Sequence, residues 1–445
     1  MLKQYFLAIA IAIASLNLFS QAFIENDDLL KVNLNDSLPL VEKLKMLPGV
    51  EVEEIPVKSK LFSAEYKLMI KQPVDHEHPE KGYFKQKVYL YHSNEQAPMV
   101  MYLDGYKADR GYVQELAYYL NGNTIHIEHR FFGESAPDSI PWEYLNIKQA
   151  AADHHRIVVL LKNIYQGKWI SCGISKGGQT AIFHRRFYPD DVLVTVPYVA
   201  PLNLDKEDPR IYEFLENVDG EDCRKKLEYL QTYLLKNRKK TYPVFKEKVE
   251  KIGYEFTHSM DSIFELSVFE LGFAFWQWGG NCATLPAKPK PEDAVNLLFS
   301  YDVVSFFEKS SINETFPFFY QAYTEMGLYG YKTEKFKKYL VAYKSDVDNY
   351  ETFIPKRFHL SYDKSAMQDI YNWLKDNGNN FLYIYGEVDA WSATAFEPSE
   401  NTNAVKIVNP GGSHMTRIRN LPQDLQDKAL KTLEKWLNIK IENNY

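Results

Sequence analysis

A serine, an aspartate and a histidine stand in settings that suit acyl transfer. Gly173-Ile174-Ser175-Lys176-Gly177-Gly178 follows the apolar run Trp169-Ile170-Ser171-Cys172 and precedes a helix-like segment at 179–188. A strand that turns sharply on a serine and continues as a helix projects the hydroxyl outward, and the flanking glycines let the backbones approach that closely. The helix N-terminus behind the turn favours negative charge. Such a serine needs a base to take its proton and an acid to orient that base, and in this arrangement they follow in the order Ser, Asp or Glu, His. Two apolar runs downstream each end in a candidate. Residues 381–385 lead into Gly386-Glu387-Val388-Asp389-Ala390-Trp391, and 404–408 lead into Asn409-Pro410-Gly411-Gly412-Ser413-His414. We assign Asp389 as the acid, with Glu387 as the alternative, and His414 as the base. The tetrahedral intermediate needs hydrogen-bond donors for its oxyanion. The backbone N–H of Lys176 is one. The second is that of Tyr106, or alternatively Lys107, in the loop after Met99-Val100-Met101-Tyr102-Leu103, where Gly105 permits close approach.

These residues need a sheet whose strands end at one rim. Met99–Leu103, 124–128, 169–174 and 192–199 read as strands buried on both faces, with helical patterns at 112–120, 146–165 and 179–188 between them. Strand and helix in alternation predict an α/β fold with a mostly parallel sheet. Strands at 62–70 and 82–92 fit antiparallel additions at one edge, preceded by an extended acidic arm from 23 to about 61. After Pro201 the pattern becomes long helices rich in Lys, Glu, Phe and Tyr, and sheet pattern returns only at 381. The expected division is a signal segment at 1–22, a first core part at 23–204, an inserted helical cap at 205–362 and a second core part at 363–445 ending in a helix at 421–437.

The 445 residues carry 45% apolar, 25% charged and 15% aromatic side chains, ordinary for a globular protein apart from the 32 tyrosines. A net charge of −7 and the lack of a basic arm disfavour a nucleic-acid partner. Lys3, the apolar stretch 6–19 and Ser20-Gln21-Ala22 form a secretory signal with cleavage after Ala22, which predicts a secreted or periplasmic protein without a stable membrane anchor. In that compartment Cys223 and Cys282 are candidates for a disulfide, a pairing the sequence does not fix. Cys172, in the strand before Ser175, reads as an inert buried thiol. His76 with His78, and His154 with His155, match no ligand motif, so no metal or other cofactor is expected.

Several motifs carry a resemblance. Gln72-Pro73-Val74-Asp75-His76, Glu128-His129-Arg130-Phe131-Phe132-Gly133-Glu134-Ser135, Gly173-Ile174-Ser175-Lys176-Gly177-Gly178 and Asp389-Ala390-Trp391 resemble the secreted bacterial tripeptidyl aminopeptidase family of serine peptidases. More distantly they are similar to prolyl carboxypeptidase and dipeptidyl peptidase II. The resemblance implies an α/β-hydrolase core with a helical cap, a Ser175–Asp389–His414 triad, peptide substrates and release of short peptides from free N-termini. The more distant relatives have a Gly-Asn-Glu-Gly-like oxyanion loop and a tyrosine after the serine, where this chain has Asp104-Gly105-Tyr106 and Lys176. An exopeptidase must hold the substrate's amine. Glu128 and Glu134 are the candidates, although Glu128 could instead pair with Arg130 or another base. Trp276, Gln277 and Trp278 are candidates for the specificity pocket, or for cap packing. A carboxylic ester hydrolase with the same triad, and a non-catalytic binding protein on a hydrolase scaffold, are the competing readings.

Overall fold

The computed structural model describes residues 27–441. Nine strands, β1 (Val50–Ile55), β2 (Ala64–Pro73), β3 (Tyr83–His92), β4 (Met99–Leu103), β5 (Asn123–Ile127), β6 (Trp169–Ile174), β7 (Val194–Tyr198), β8 (Leu382–Gly386) and β9 (Val405–Asn409), form one sheet in the order β1-β2-β3-β5-β4-β6-β7-β8-β9. The first three and β5 pair antiparallel; β5 through β9 are parallel neighbours. Every residue of β4, β5, β7 and β8 is buried, because helices cover both faces and leave no polar side to alternate with.

One face is packed by α2 (Glu115–Leu120) and α13 (Gln423–Leu437), whose Leu116, Leu430 and Leu433 meet Val100, Ile170, Val196 and Ile384. The other carries α3 (Ile147–Leu161), α4 (Lys176–Phe187) and α12 (Ser365–Asn377). This is the α/β-hydrolase fold, as the motif resemblance implies.

Between β7 and α12 run α5 (Pro209–Asn217), α6 (Glu221–Lys236), α7 (Arg238–Ile252), α8 (Met260–Gln277), α9 (Pro291–Leu298), α10 (Lys309–Gln321) and α11 (Tyr350–Phe353). They share a hydrophobic cluster of their own, with Leu227, Phe245, Phe264, Leu298 and Phe319 at its centre. Helix α8 is buried all round, as befits the middle of a bundle. A disulfide between Cys223 and Cys282 ties α6 to the turn that follows α8. Cys172 is free and buried.

The stretch expected to be an extended arm is structured. It contains α1 (Leu40–Lys45) and the edge strand β1, while Leu30, Leu44 and Leu47 are buried against the sheet. Val-Glu-Val-Glu alternates as a half-buried strand does, though over only four residues and between Pro48 and Pro56, and its charges guard an open sheet edge against pairing with other chains. The helix expected from 112 begins only at Glu115. The signal segment lies outside the described residues. Among the described residues, no helix is long and apolar enough to cross a membrane.

Candidate active site

The chain from β6 to α4 turns on Ser175, whose φ of 57° and ψ of −124° lie in a region side chains rarely adopt. Such strain persists only where the surroundings enforce it. Here the Ser175 N–H donates to Tyr198 O at 2.9 Å, fastening the turn to β7. A Cβ at position 173 would come within 2.1 Å of the Gly177 carbonyl oxygen, and one at 105 within 2.6 Å of Lys176 Cβ. Only glycine at both places lets the strand, the helix and the loop after β4 close on one another.

The loops after β8 and β9 meet at the same rim of the sheet as this turn, and Arg417 of the second lies 5.9 Å from the ring of Tyr198, whose carbonyl holds the Ser175 N–H. Asp389 is fully buried, and His414 is 5% exposed. His414 Nδ1 lies 2.8 Å from Asp389 Oδ2, while Asp389 Oδ1 accepts the Trp391 N–H at 3.1 Å. A carboxylate on Nδ1 fixes the ring's tautomer and leaves Nε2 for proton transfer. The histidine loop is held on several sides. Glu387, exposed, accepts the Gly411 N–H; Glu115 of α2 accepts the N–H groups of Ile418 and Arg419. The His414 N–H donates to Gln277 O at the end of α8, and the Trp278 ring stands edge-on to the imidazole at 5.9 Å. Of the two candidate acids, Asp389 is the one at the imidazole and Glu387 shapes its loop.

Lys176, first residue of α4, has a backbone N–H without an intrahelical partner. Its side chain turns inward. Nζ donates to Gly105 O at 2.6 Å and sits 5.6 Å and 5.2 Å from the ring centres of Tyr106 and Phe132. Burial pulls the ammonium down to about 7, against the opposing charge of Asp104. The Tyr106 N–H, expected as the second oxyanion donor, is already committed: it donates to Asp104 Oδ1 at 3.0 Å in a local side-chain turn. The alternative, Lys107, has an N–H with no partner among the described residues.

The two glutamates expected to hold an amine are occupied. Glu128 is buried against Lys87 Nζ at 2.8 Å, and its oxygens also accept the Ser135 N–H and hydroxyl and the Ala108 N–H. Its task is to fasten the 104–108 loop to β5. Arg130, the other base considered, pairs with Asp153 instead. Glu134 is half exposed and ion-paired with Lys67 and Lys87, and the Lys67 hydrogen bond leads in keeping its carboxyl below the usual range. The sequence reading missed Lys87, though the antiparallel register of β3 and β5 sets Val88 opposite Ile127, which brings Lys87 across from Glu128.

Arg130 links the two most distinctive motifs. It bonds the carbonyls of Pro73 and Val74 as well as buried Asp153, which in turn takes His76 Nε2 at 2.7 Å. Trp276 is buried and lines a cavity of about 540 Å³ among the helices with Phe269, Phe273 and Tyr329; Gln277 touches the site through its carbonyl. A second cavity of about 430 Å³, lined by Lys107, Phe131, Phe132, Trp142, Phe316 and Pro317, opens between the 104–108 loop and α10.

Comparison with known proteins agrees with this chemistry. The sequence model described as PS-10 peptidase S37 matches residues 35–443. Prolyl tri/tetrapeptidyl aminopeptidase of Streptomyces mobaraensis is 32% identical over 410 residues, covering 89% of this chain and 85% of that protein. Prolyl carboxy peptidase like protein 5 of Caenorhabditis elegans is 23% identical over 429 residues, covering 77% and 82%. The crystal structure of proline iminopeptidase from Mycobacterium smegmatis aligns with a TM-score of 0.41 at 13% identity, over 83% of this chain and 99% of that one. On the family match across nearly all the described residues, and on a relative almost a third identical along most of its length, this chain is a serine peptidase and belongs to the peptidase S37 family.

Proposed function

We propose that the protein is a secreted exopeptidase that releases short peptides, tripeptides foremost, from free N-termini through an acyl-enzyme. The observation that carries the reading is the buried hydrogen bond between Asp389 and His414, on loops at the same rim of the sheet as the strained turn at Ser175. In this mechanism Ser175 Oγ attacks the scissile carbonyl while His414 Nε2 takes its proton. Asp389 stabilises the imidazolium, and the backbone N–H groups of Lys176 and Lys107 receive the oxyanion. The imidazolium then protonates the departing amine, and water repeats the sequence to free the acyl product. The 205–362 region acts as the cap that limits substrate length. The name of the Streptomyces mobaraensis relative points to proline at the cleaved bond. The aromatic cavity beside Lys107 suits a compact apolar ring. Export follows from the 1–22 segment.

Mass spectrometry of products from a mixture of free-amine and N-acetylated peptides tests this. Tripeptides and tetrapeptides cut only from free-amine members, with all cleavage lost in Ser175→Ala, are the expected result. Equal cleavage of both sets defeats the exopeptidase reading. Ester turnover without peptide cleavage favours an ester hydrolase.

A further inference from the structure

With Glu128 and Glu134 engaged elsewhere, the substrate's ammonium lacks a counter-charge, and the helical region holds a buried acid with no cation partner among the described residues. Glu270, on α8, is 4% exposed. Its partners are two phenols: Tyr329 Oη lies 3.0 Å from both carboxylate oxygens and Tyr331 Oη 2.6 Å from Oε2. Two hydroxyl protons serve a group with about four acceptor positions, so capacity remains. No positive side chain is among the groups acting on it, and burial pushes its carboxyl up to about 8 against the lowering effect of the two tyrosines. A buried acid held protonated near neutral pH becomes a carboxylate when a cation arrives beside it, and groups perturbed in this way cluster at functional sites.

The surroundings point to what the counter-ion is. Phe269, Gly272, Phe273 and Trp276 of α8 line the cavity of about 540 Å³ together with Tyr329 and Tyr331, the two tyrosines that hold Glu270. Tyr329 stacks on Phe273 with ring centres 3.8 Å apart, and Trp391 stands edge-on to both at 5.3 Å and 5.1 Å. The exposed lysines of the cavity lining already have partners, Lys225 with Glu221, Lys332 with Asp346 and Lys335 with Glu228, whereas Glu270 lies behind the rings of Tyr329 and Tyr331. An aromatic wall over a buried acid matches a primary ammonium, which gains from ring faces as well as from the charge. The wall also connects to the chemistry. Trp391 is the residue whose N–H Asp389 accepts, and Trp276 immediately precedes the Gln277 whose carbonyl holds the His414 N–H. The cavity therefore lies one layer of side chains from the acid and the base, a separation suited to a few peptide residues rather than to a long chain.

We propose that Glu270, framed by Tyr329, Tyr331 and Phe273, binds the free N-terminal ammonium of the substrate and so sets where counting begins. The proposal rests on the exopeptidase reading and supplies its missing anchor.

The test compares Ala-Ala-Pro-aminomethylcoumarin with its N-acetyl counterpart on the wild type and on Glu270→Gln. Glutamine keeps the shape and a hydrogen-bonding oxygen but removes the charge. The wild type should prefer the free amine, and in Glu270→Gln the ratio of kcat/KM values, free over acetylated, should fall about 10- to 100-fold, most of it in KM. A wild type that prefers the free amine while Glu270→Gln keeps that preference overturns the role of Glu270 and leaves the exopeptidase reading standing. A wild type that cleaves both alike overturns the exopeptidase reading, and this inference with it. If circular dichroism shows Glu270→Gln misfolded, Tyr331→Phe decides. It leaves the charge in place but frees one oxygen, so the same ratio should shift several-fold; an unaltered ratio overturns the proposal.

Discussion

Substituting Lys176 by methionine should change how stability depends on pH. The ammonium is 2% exposed and is pulled down from 10.5 to about 7 by burial. At 1.36 kcal/mol per pH unit that drop corresponds to about 5 kcal/mol. The folded-state value lies below the unfolded one, so between pH 7 and 10.5 the unfolded chain holds the proton more firmly. Stability attributable to this group therefore rises with pH across that window, and below pH 7 the full penalty of a buried charge applies. Methionine has similar length and no charge, so the variant escapes the penalty but loses the bond to Gly105 O, worth about 1–3 kcal/mol. At pH 6 the variant should be more stable than the wild type by about 2–4 kcal/mol, and near pH 10 the advantage should vanish or reverse. Glu270 and His155 also titrate in overlapping ranges, so the informative quantity is the difference between the two proteins at each pH. Guanidinium denaturation at intervals from pH 6 to 10, with Ser175→Ala in both proteins to suppress self-cleavage, gives that difference. A difference that stays constant over this range refutes the reasoning. In the active protein, Lys176→Met also frees Gly105 O and should lower kcat as the 104–108 loop loosens against the elbow.

Other outcomes follow from the same geometry. Asp389→Asn should leave the protein folded but reduce kcat by about 10⁴-fold, because the amide can present the wrong hydrogen-bonding group to His414 Nδ1; steady-state kinetics and the rate of fluorophosphonate labelling check it. Lys87→Met leaves Glu128 buried without its ion-pair partner and should lower stability by about 3–5 kcal/mol, read by denaturant midpoint. Replacing both Cys223 and Cys282 by serine opens a link spanning 59 residues. The chain-entropy model sets the loss at about 4 kcal/mol, to be seen as earlier unfolding or proteolysis within 205–362.

Much of the core was legible because its signals are local. A five-residue apolar run ending in a glycine-rich loop, as at Met99–Leu103 or Leu382–Gly386, names both a strand and the rim where chemistry collects. The elbow is legible for the same reason: its glycines are required by contacts within a few residues of Ser175 and with the adjoining loop. The roles of the glutamates were not legible, because they depend on what lies across the sheet. Glu128, at the end of a strand, reads equally as an amine contact or an internal ion-pair partner until Lys87 appears opposite it, and Glu270 reads as one more helix charge until the helix proves buried all round. The engagement of the Tyr106 amide was not legible, because nothing in Asp104-Gly105-Tyr106 reveals that the aspartate folds back on it. The strand β1 was hidden because its alternation runs over only four residues between Pro48 and Pro56.

The hydrogen bond from the His414 amide to the last carbonyl of α8 has a mechanical consequence. The residue proposed as proton acceptor is fastened to the helical region as well as to the sheet. A ligand that lifted that helix would break this bond and so reach the proposed base through its backbone. The exchange rate of this one amide proton thus serves as a gauge of how often that helix lifts.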